Sequence, residues 1–213
     1  VIAAAALALL ANSAVASVII AGVTATASSY ITEGVNLNTA PINTVNDSGM
    51  TGDQCGIGTA VSWFSETAGA IATDQEWIQW DLGQACLLDS IHVWNENQKV
   101  NASHDTAVDG INQVDIYISS VAAPDDPEGA GSANWTLWAE DVNLPKASGL
   151  ATYTGFDLET ATSSNLPATP IRWVRFEVDS THDTVGVLYD VGLSEIRFYE
   201  VPEPATMALV GLG

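Results

Sequence analysis

The string Trp94-Asn95-Glu96-Asn97 sets an indole beside two amides and a carboxylate, and His104, Asp105, His182 and Asp183 follow in turn-rich stretches. An exposed aromatic face receives the apolar side of a pyranose, and amide, acid or imidazole groups around it bond the hydroxyls. Trp94, Asn95, Asn97, His104, Asp105 and His182 are therefore the candidate ligand-binding residues. The competing assignment puts Trp94 in the core and leaves His104 and His182 as solvated loop residues. Reaction chemistry is poorly represented. The sequence has no Gly-x-Ser-x-Gly elbow, no His-Glu-x-x-His pair and no phosphate-binding loop. His92, His104 and His182 are not spaced as metal ligands. The carboxylate separation that defines a glycosidase is spatial and is not written in the sequence.

The elements that position these residues must come from 213 residues carrying 26 acids and 5 bases, a net charge of −21. Phosphate binding needs clustered Lys and Arg, so this balance argues against nucleic acid and against an anionic membrane surface. It is compatible with divalent cations, high salt and a crowded extracellular space. Apolar residues make up 47%, enough to bury a core. The length suits one β-sandwich plus terminal signals.

Val1 to Ala11 is almost purely Ala, Leu, Val and Ile, and Ala14-Val15-Ala16 follows. These are the hydrophobic and cleavage parts of a secretory signal peptide over 1–16, with its basic start and initiator Met missing. A membrane helix through Val23 is the alternative, but Asn12, Ser13 and Ser17 interrupt it and it falls short of the ~20 residues a span needs. In an exported chain the even pair Cys55 and Cys86 predicts a disulfide, which would contribute about 3–4 kcal/mol in the chain-entropy model. Two buried free thiols are the alternative. At the other end, Val201-Pro202-Glu203-Pro204-Ala205-Thr206 leads into an apolar run ending at Gly213. This resembles the PEP-CTERM sorting signal, although the family's transmembrane helix is cut short here and its Arg cluster is absent. The resemblance implies an exosortase-type sorting machinery as partner, and the envelope, surface or extracellular matrix of a Gram-negative-type bacterium as location.

Between the ends the apolar residues alternate with period two. Strands are predicted at 18–24 with a bulge at Gly22, at 77–82 closed by Gly83, and around Ile91 and Val93. Others are predicted around Val114, Ile116 and Ile118, and at 135–140, 153–158, 171–178 and 193–199. Val174, Phe176 and Val178 share one face, and so do Ile196 and Phe198. Trp63, Trp77, Trp80 and Trp173 sit in strand-like contexts and are expected in the core. Residues 123–129 and 160–170 read as surface loops. No segment offers a long amphipathic helix. About eight strands in one domain over 17–200 point to an all-β sandwich or jelly roll.

Four ordered stretches resemble the discoidin, or coagulation-factor type C, domain of the galactose-binding-like superfamily. They are Ala27-Ser28-Ser29-Tyr30, the run Asn43 to Met50, Glu76-Trp77-Ile78-Gln79-Trp80-Asp81-Leu82-Gly83, and Val191 to Tyr199; Arg172-Trp173-Val174-Arg175-Phe176 fits the penultimate strand. The resemblance implies an eight-stranded jelly-roll β-sandwich and a non-catalytic module that binds carbohydrate. It also implies a structural Ca²⁺ where an early Asp-Gly-type loop meets a Glu on the last strand. Ca²⁺ takes six to eight oxygen ligands, which Asn46, Asp47 and Glu195, with the carbonyls of Val45 and Met50, would supply. The chain departs from the family pattern in having Asn46 at the Asp position and Asp47 at the Gly position. An Asx-turn without metal is the alternative. A structural or adhesive matrix protein that binds protein partners, and a hydrolase on the same fold, are the competing functions.

Overall fold

The computed structural model describes residues 17–32, 39–57, 62–66, 76–101, 104–121, 134–183 and 190–201. The expected signal peptide and all but the first residue of the expected sorting tail lie outside the described residues. In chain order the strands are β1 (Val18–Ile19), β2 (Thr24–Ala27), β3 (Met50–Thr51), β4 (Gln54–Cys55), β5 (Trp63–Phe64), β6 (Trp77–Cys86), β7 (Leu88–Asn95), β8 (Lys99–Asn101), β9 (His104–Asp105), β10 (Ile111–Ser119), β11 (Thr136–Asn143), β12 (Phe156–Asp157), β13 (Ile171–Thr181) and β14 (Gly192–Glu200). Two antiparallel sheets make the sandwich. One runs β1-β14-β7-β12, with β5 also paired to β14, and the other runs β11-β10-β13-β6-β2. No helix among the described residues is long and apolar enough to cross a membrane.

Alternation places the core between the sheets. Val114, Ile116, Val174, Phe176 and Val178 from one sheet meet Ile91, Val93, Ile196 and Phe198 from the other, and all are buried. A fully buried side chain of this kind stabilises the fold by roughly 1.5–3 kcal/mol. Trp80 stands at the centre, edge-on to Phe176 at 5.0 Å and tilted against Phe198 at 5.9 Å. Its Nε1 donates to Thr44 Oγ1 at 2.9 Å, and Trp63 Nε1 donates to the Ser29 carbonyl at 2.9 Å. Each indole thus buries its ring without orphaning its N–H.

Several boundaries differ from the sequence expectation. The strand expected at 18–24 is two strands in different sheets, joined through Gly22 at φ 75°, a backbone region that glycine occupies without steric cost. Gly83 does not close β6. It takes φ 80°, and the strand continues to Cys86. The strand expected at 153–158 shortens to β12, because a one-turn helix, α1 (Leu158–Thr162), follows at once. Trp77 and Trp173 are half-buried on the outer face of their sheet, with Arg175 4.2 Å and Arg172 5.9 Å from the respective rings.

The expected disulfide is corrected: Cys55 and Cys86 are separate, buried free thiols. Cys86 ends β6 opposite Ile171, and its thiol donates to the Ile171 carbonyl at 3.7 Å. Cys55 lies in the β3–β4 hairpin, bridged to Tyr153, and its thiol donates to the Gly56 carbonyl at 3.4 Å. The two stand in different sheets with different strand partners, and burial pushes the Cys55 thiol up to about 11.

Candidate functional site

The six candidate ligand-binding residues do not form one site. Asn95 and Asn97 are completely buried. Asn95 Nδ2 donates to the carbonyls of Ile111 (2.7 Å) and Pro145 (3.0 Å), and its Oδ1 accepts from the backbone of Glu96 and Ile111. Asn97 Nδ2 donates to the carbonyls of Cys55 (3.0 Å), Gly56 (3.3 Å) and Leu150 (2.9 Å), and its Oδ1 accepts from Gly149 N at 2.8 Å. Both amides are spent on the chain's own backbone, which corrects their assignment as ligand contacts. Glu96, between them, is buried too. Gln98 N donates to it at 2.7 Å, the Thr106 and Ser194 hydroxyls donate at 3.4 Å, and burial raises its pKa to about 7.

His104 and Asp105 form β9, where Asp105 pairs with Lys99 at 2.8 Å. His182 follows β13; its backbone N–H donates to the Gly110 carbonyl at 3.0 Å, and burial holds its imidazole below the ordinary value. Asp109, close to Asp190, Glu96, Asp183 and Asp105, is raised to about 7 by burial first and then by these like charges.

Of the residues expected to hold calcium, Asp47 of the loop and Glu195 of the last strand come together. Asp47 sits at φ 60°. At the position where the resemblance expects Gly, the backbone therefore takes a glycine-like conformation, which Asp tolerates better than most residues. Its N–H donates to Glu195 Oε1 at 3.3 Å, and Ser48 N closes an Asx-turn on Asn46 Oδ1 at 3.0 Å. Glu195 is 1% exposed, and its Oε2 is buried with no hydrogen-bond partner. Burial, then the neighbouring Asp47 charge, raises its pKa to about 8. An orphaned carboxylate oxygen beside a second carboxylate fits a hard cation. One internal cation already reaches the loop: Arg197 Nη2 donates to Asp47 Oδ1 at 2.9 Å, and its Nε stands 4.0 Å from Glu195 Oε1.

Next to this loop a groove of about 510 Å³ opens on the outer face of β14-β7-β12, lined by Asp53, His92, Trp94, Thr154, Gly155, Phe156, Asp157 and Tyr199. Cross-strand pairing builds it. Asp157 pairs with His92, Phe156 with Val93, and Arg197 with His92. His92, Asp157, Arg197 and Tyr199 occupy the outward positions, while Phe156, opposite the buried Val93, packs against the core beneath them. Tyr199 and His92 are half-buried and form the platform. His92 is fixed at both ring nitrogens: Nδ1 donates to Asp157 Oδ1 at 2.6 Å and Nε2 to the Thr154 carbonyl at 2.7 Å. Trp94 is 1% exposed and backs the groove instead of offering a face, stacked between His92 at 4.3 Å and Arg197 at 4.8 Å. Gly155 passes so close that a Cβ would meet the Val93 carbonyl at 2.4 Å. Only glycine allows the 154–156 segment to lie on the floor.

Asp53 forms the opposite lip. It sits at the tip of the β3–β4 hairpin, whose loop is Gly52-Asp53 with Gly52 at φ 62°, as two-residue hairpins favour. Asp53, His92, Phe156, Asp157 and Tyr199 escaped the sequence analysis. The available signal was the outward position of His92, Asp157 and Tyr199 on their strands. Asp53 (84% exposed) pairs with Arg197, and Asp157 (60% exposed) pairs with His92. A glycosidase acid needs burial to hold its proton, and neither carboxylate has it.

No protein-family model and no curated protein matches the sequence. Solved structures do match. An F5/8 type C domain from Bacteroides fragilis superposes with a TM-score of 0.51 at 14% identity, covering 86% of this chain and 95% of that one. CpGH89CBM32-5 from Clostridium perfringens, in complex with GalNAc-β-1,3-galactose, superposes with a TM-score of 0.50 at 10% identity, covering 86% and 99%. A family 89 glycoside hydrolase from Clostridium perfringens matches with a TM-score of 0.47 at 16% identity over 88% of this chain, and the match spans 16% of the hydrolase's length. At such identities the likeness is one of fold: the chain has the jelly-roll β-sandwich architecture of the F5/8 type C domain it superposes on.

Proposed function

We propose that this chain is an exported, non-catalytic binding module that holds carbohydrate in the groove between Asp53 and Phe156–Asp157. The observation that carries this reading is the groove's chemistry. A half-buried platform of Tyr199 and His92 is flanked by two solvent-facing carboxylates. Aromatic faces receive the C–H side of a sugar ring, and fixed acceptors at the rim take its hydroxyl hydrogens. The sugar complex of the similarly folded CpGH89CBM32-5 is in keeping with such a ligand. The rim charges and the net charge of −21 favour neutral glycans over polyanionic ones.

The proposal extends to calcium. Asn46, Asp47 and Glu195, with the carbonyls of Val45 and Met50, would hold the ion, and the orphaned Glu195 Oε2 supports this. Bound there, Ca²⁺ would supply the positive charge that the buried carboxylate lacks and would brace the 46–53 loop. Export and surface sorting by an exosortase-type machinery rest on the terminal sequence patterns.

A glycan array with and without EDTA tests the function. Binding to neutral glycans is expected, and silence across neutral and acidic polysaccharides alike would overturn the reading.

A further inference from the structure

One side chain touches both features. Arg197 is 12% exposed, and its guanidinium joins three parts of the molecule. Nη2 donates to Asp47 Oδ1 at 2.9 Å and to the Gly52 carbonyl at 3.0 Å, Nη1 donates to Asp53 Oδ1 at 2.9 Å, and the group lies over the Trp94 ring at 4.8 Å. Trp94 in turn donates from Nε1 to the Asp53 carbonyl at 3.2 Å. Asp53 is therefore held twice, by its side chain and by its backbone. It lines both the groove and a neighbouring cavity of about 380 Å³ that also contains Asp47, Glu195 and Arg197.

We propose that Arg197 is a positioning residue that couples the cation loop to the groove, so that filling the loop with a divalent cation shifts the guanidinium from Asp47 toward Asp53 and is sensed at Trp94. The inference rests on the calcium reading given above. Its physical basis is competition. A divalent ion held by Asp47 and Glu195 takes one of the two carboxylates that the guanidinium bridges and repels the guanidinium itself. Asp53, Gly52 and Trp94 remain as its partners, and all three belong to the groove's lip and back wall. Planar, forked geometry suits Arg to this role, because one fork can grip two acceptors and stack at the same time. Linkage then requires the reverse effect: a ligand that fixes Asp53 in the groove changes the loop's affinity for the cation by the same factor.

The test uses the full chain and calcium chloride alone. Tryptophan emission and melting temperature are followed as Ca²⁺ is added to EDTA-treated protein. The native chain is expected to melt higher and to change its emission, and Trp94→Phe to melt higher with that emission change lost. Arg197→Gln, which removes the competing cation, is expected to bind Ca²⁺ about five-fold or more tightly and to lose the Trp94 signal. Arg197→Lys, which keeps the charge without the fork, is expected to restore weak Ca²⁺ binding but not the signal. Absence of any melting shift at millimolar Ca²⁺ would sink the calcium reading and the coupling with it. A melting shift with emission unchanged, or changed equally in Trp94→Phe, would overturn the coupling and leave calcium standing. An unchanged Ca²⁺ affinity in Arg197→Gln would also overturn it.

Discussion

In the groove, Asp53 and Asp157 face water, each held by one basic side chain, and Tyr199 is only half-buried. A few residues along β7, Asn95 and Asn97 are fully buried, and every polar atom of their side chains is committed to backbone. The two regions use similar polar chemistry to opposite ends. The interior amides tie together loops that have no regular ladder, which backbone groups sealed from water require. The groove leaves acceptors and aromatic faces unspent, and unspent groups are what a ligand can use. Polarity next to an aromatic residue is thus a poor guide to a site unless burial is known.

The interior side of this contrast carries the largest expected effect. Asn97→Ala strands three carbonyls and one N–H, and is expected to cost about 4 kcal/mol in urea unfolding. A loss under 1 kcal/mol would mean that Asn97 is not a staple. Glu96 probes the same region through pH. Its folded pKa of about 7 lies above the ordinary 4.5 of a glutamate, so the folded state binds the extra proton between these values. Stability from this group is full below pH 4.5, falls as pH rises through that window, and levels off above 7. Glu96→Gln is expected to flatten the slope and to gain up to about 3 kcal/mol over the native chain at pH 8. An unchanged slope would show that another group titrates there.

On the groove side, Tyr199→Ala and His92→Ala are each expected to weaken binding of an array-identified glycan about ten-fold, or ~1.4 kcal/mol. Melting temperatures should stay near native. If Asn97→Ala and the groove variants shifted affinity and stability in parallel, the contrast between the regions would collapse. The smallest effect belongs to the cysteines. Dithiothreitol is expected to move the melting point by less than about 1 °C, against the several degrees that loss of a disulfide would cause in a domain of this size.

Much of the sandwich was legible because its cause is local. The alternation of Val174, Phe176 and Val178, and of Ile196 and Phe198, names the core face of β13 and β14 directly. The site was only half legible. Asp47 N donates to Glu195 Oε1, whereas Asn46 Oδ1 is taken up by Ser48 N in an Asx-turn. Trp94 reached the groove as its back wall, while its neighbours Asn95 and Asn97 turned inward. His92 and Asp157 attract no notice as single residues. They meet under Arg197 because β14 pairs with β7 and β7 with β12 in one register.

The sequence by itself determined the strand periodicity and the acidic balance, since each depends on neighbouring residues or on composition. Only the tertiary structure decided that Cys55 and Cys86 stay apart, that Glu195 buries an oxygen without a partner, and that Arg197 reaches Asp47, Asp53 and Trp94 together. Those facts depend on contacts between segments far apart in the chain, and strand pairing, which sets such contacts, follows from burying both sheets' apolar faces at once.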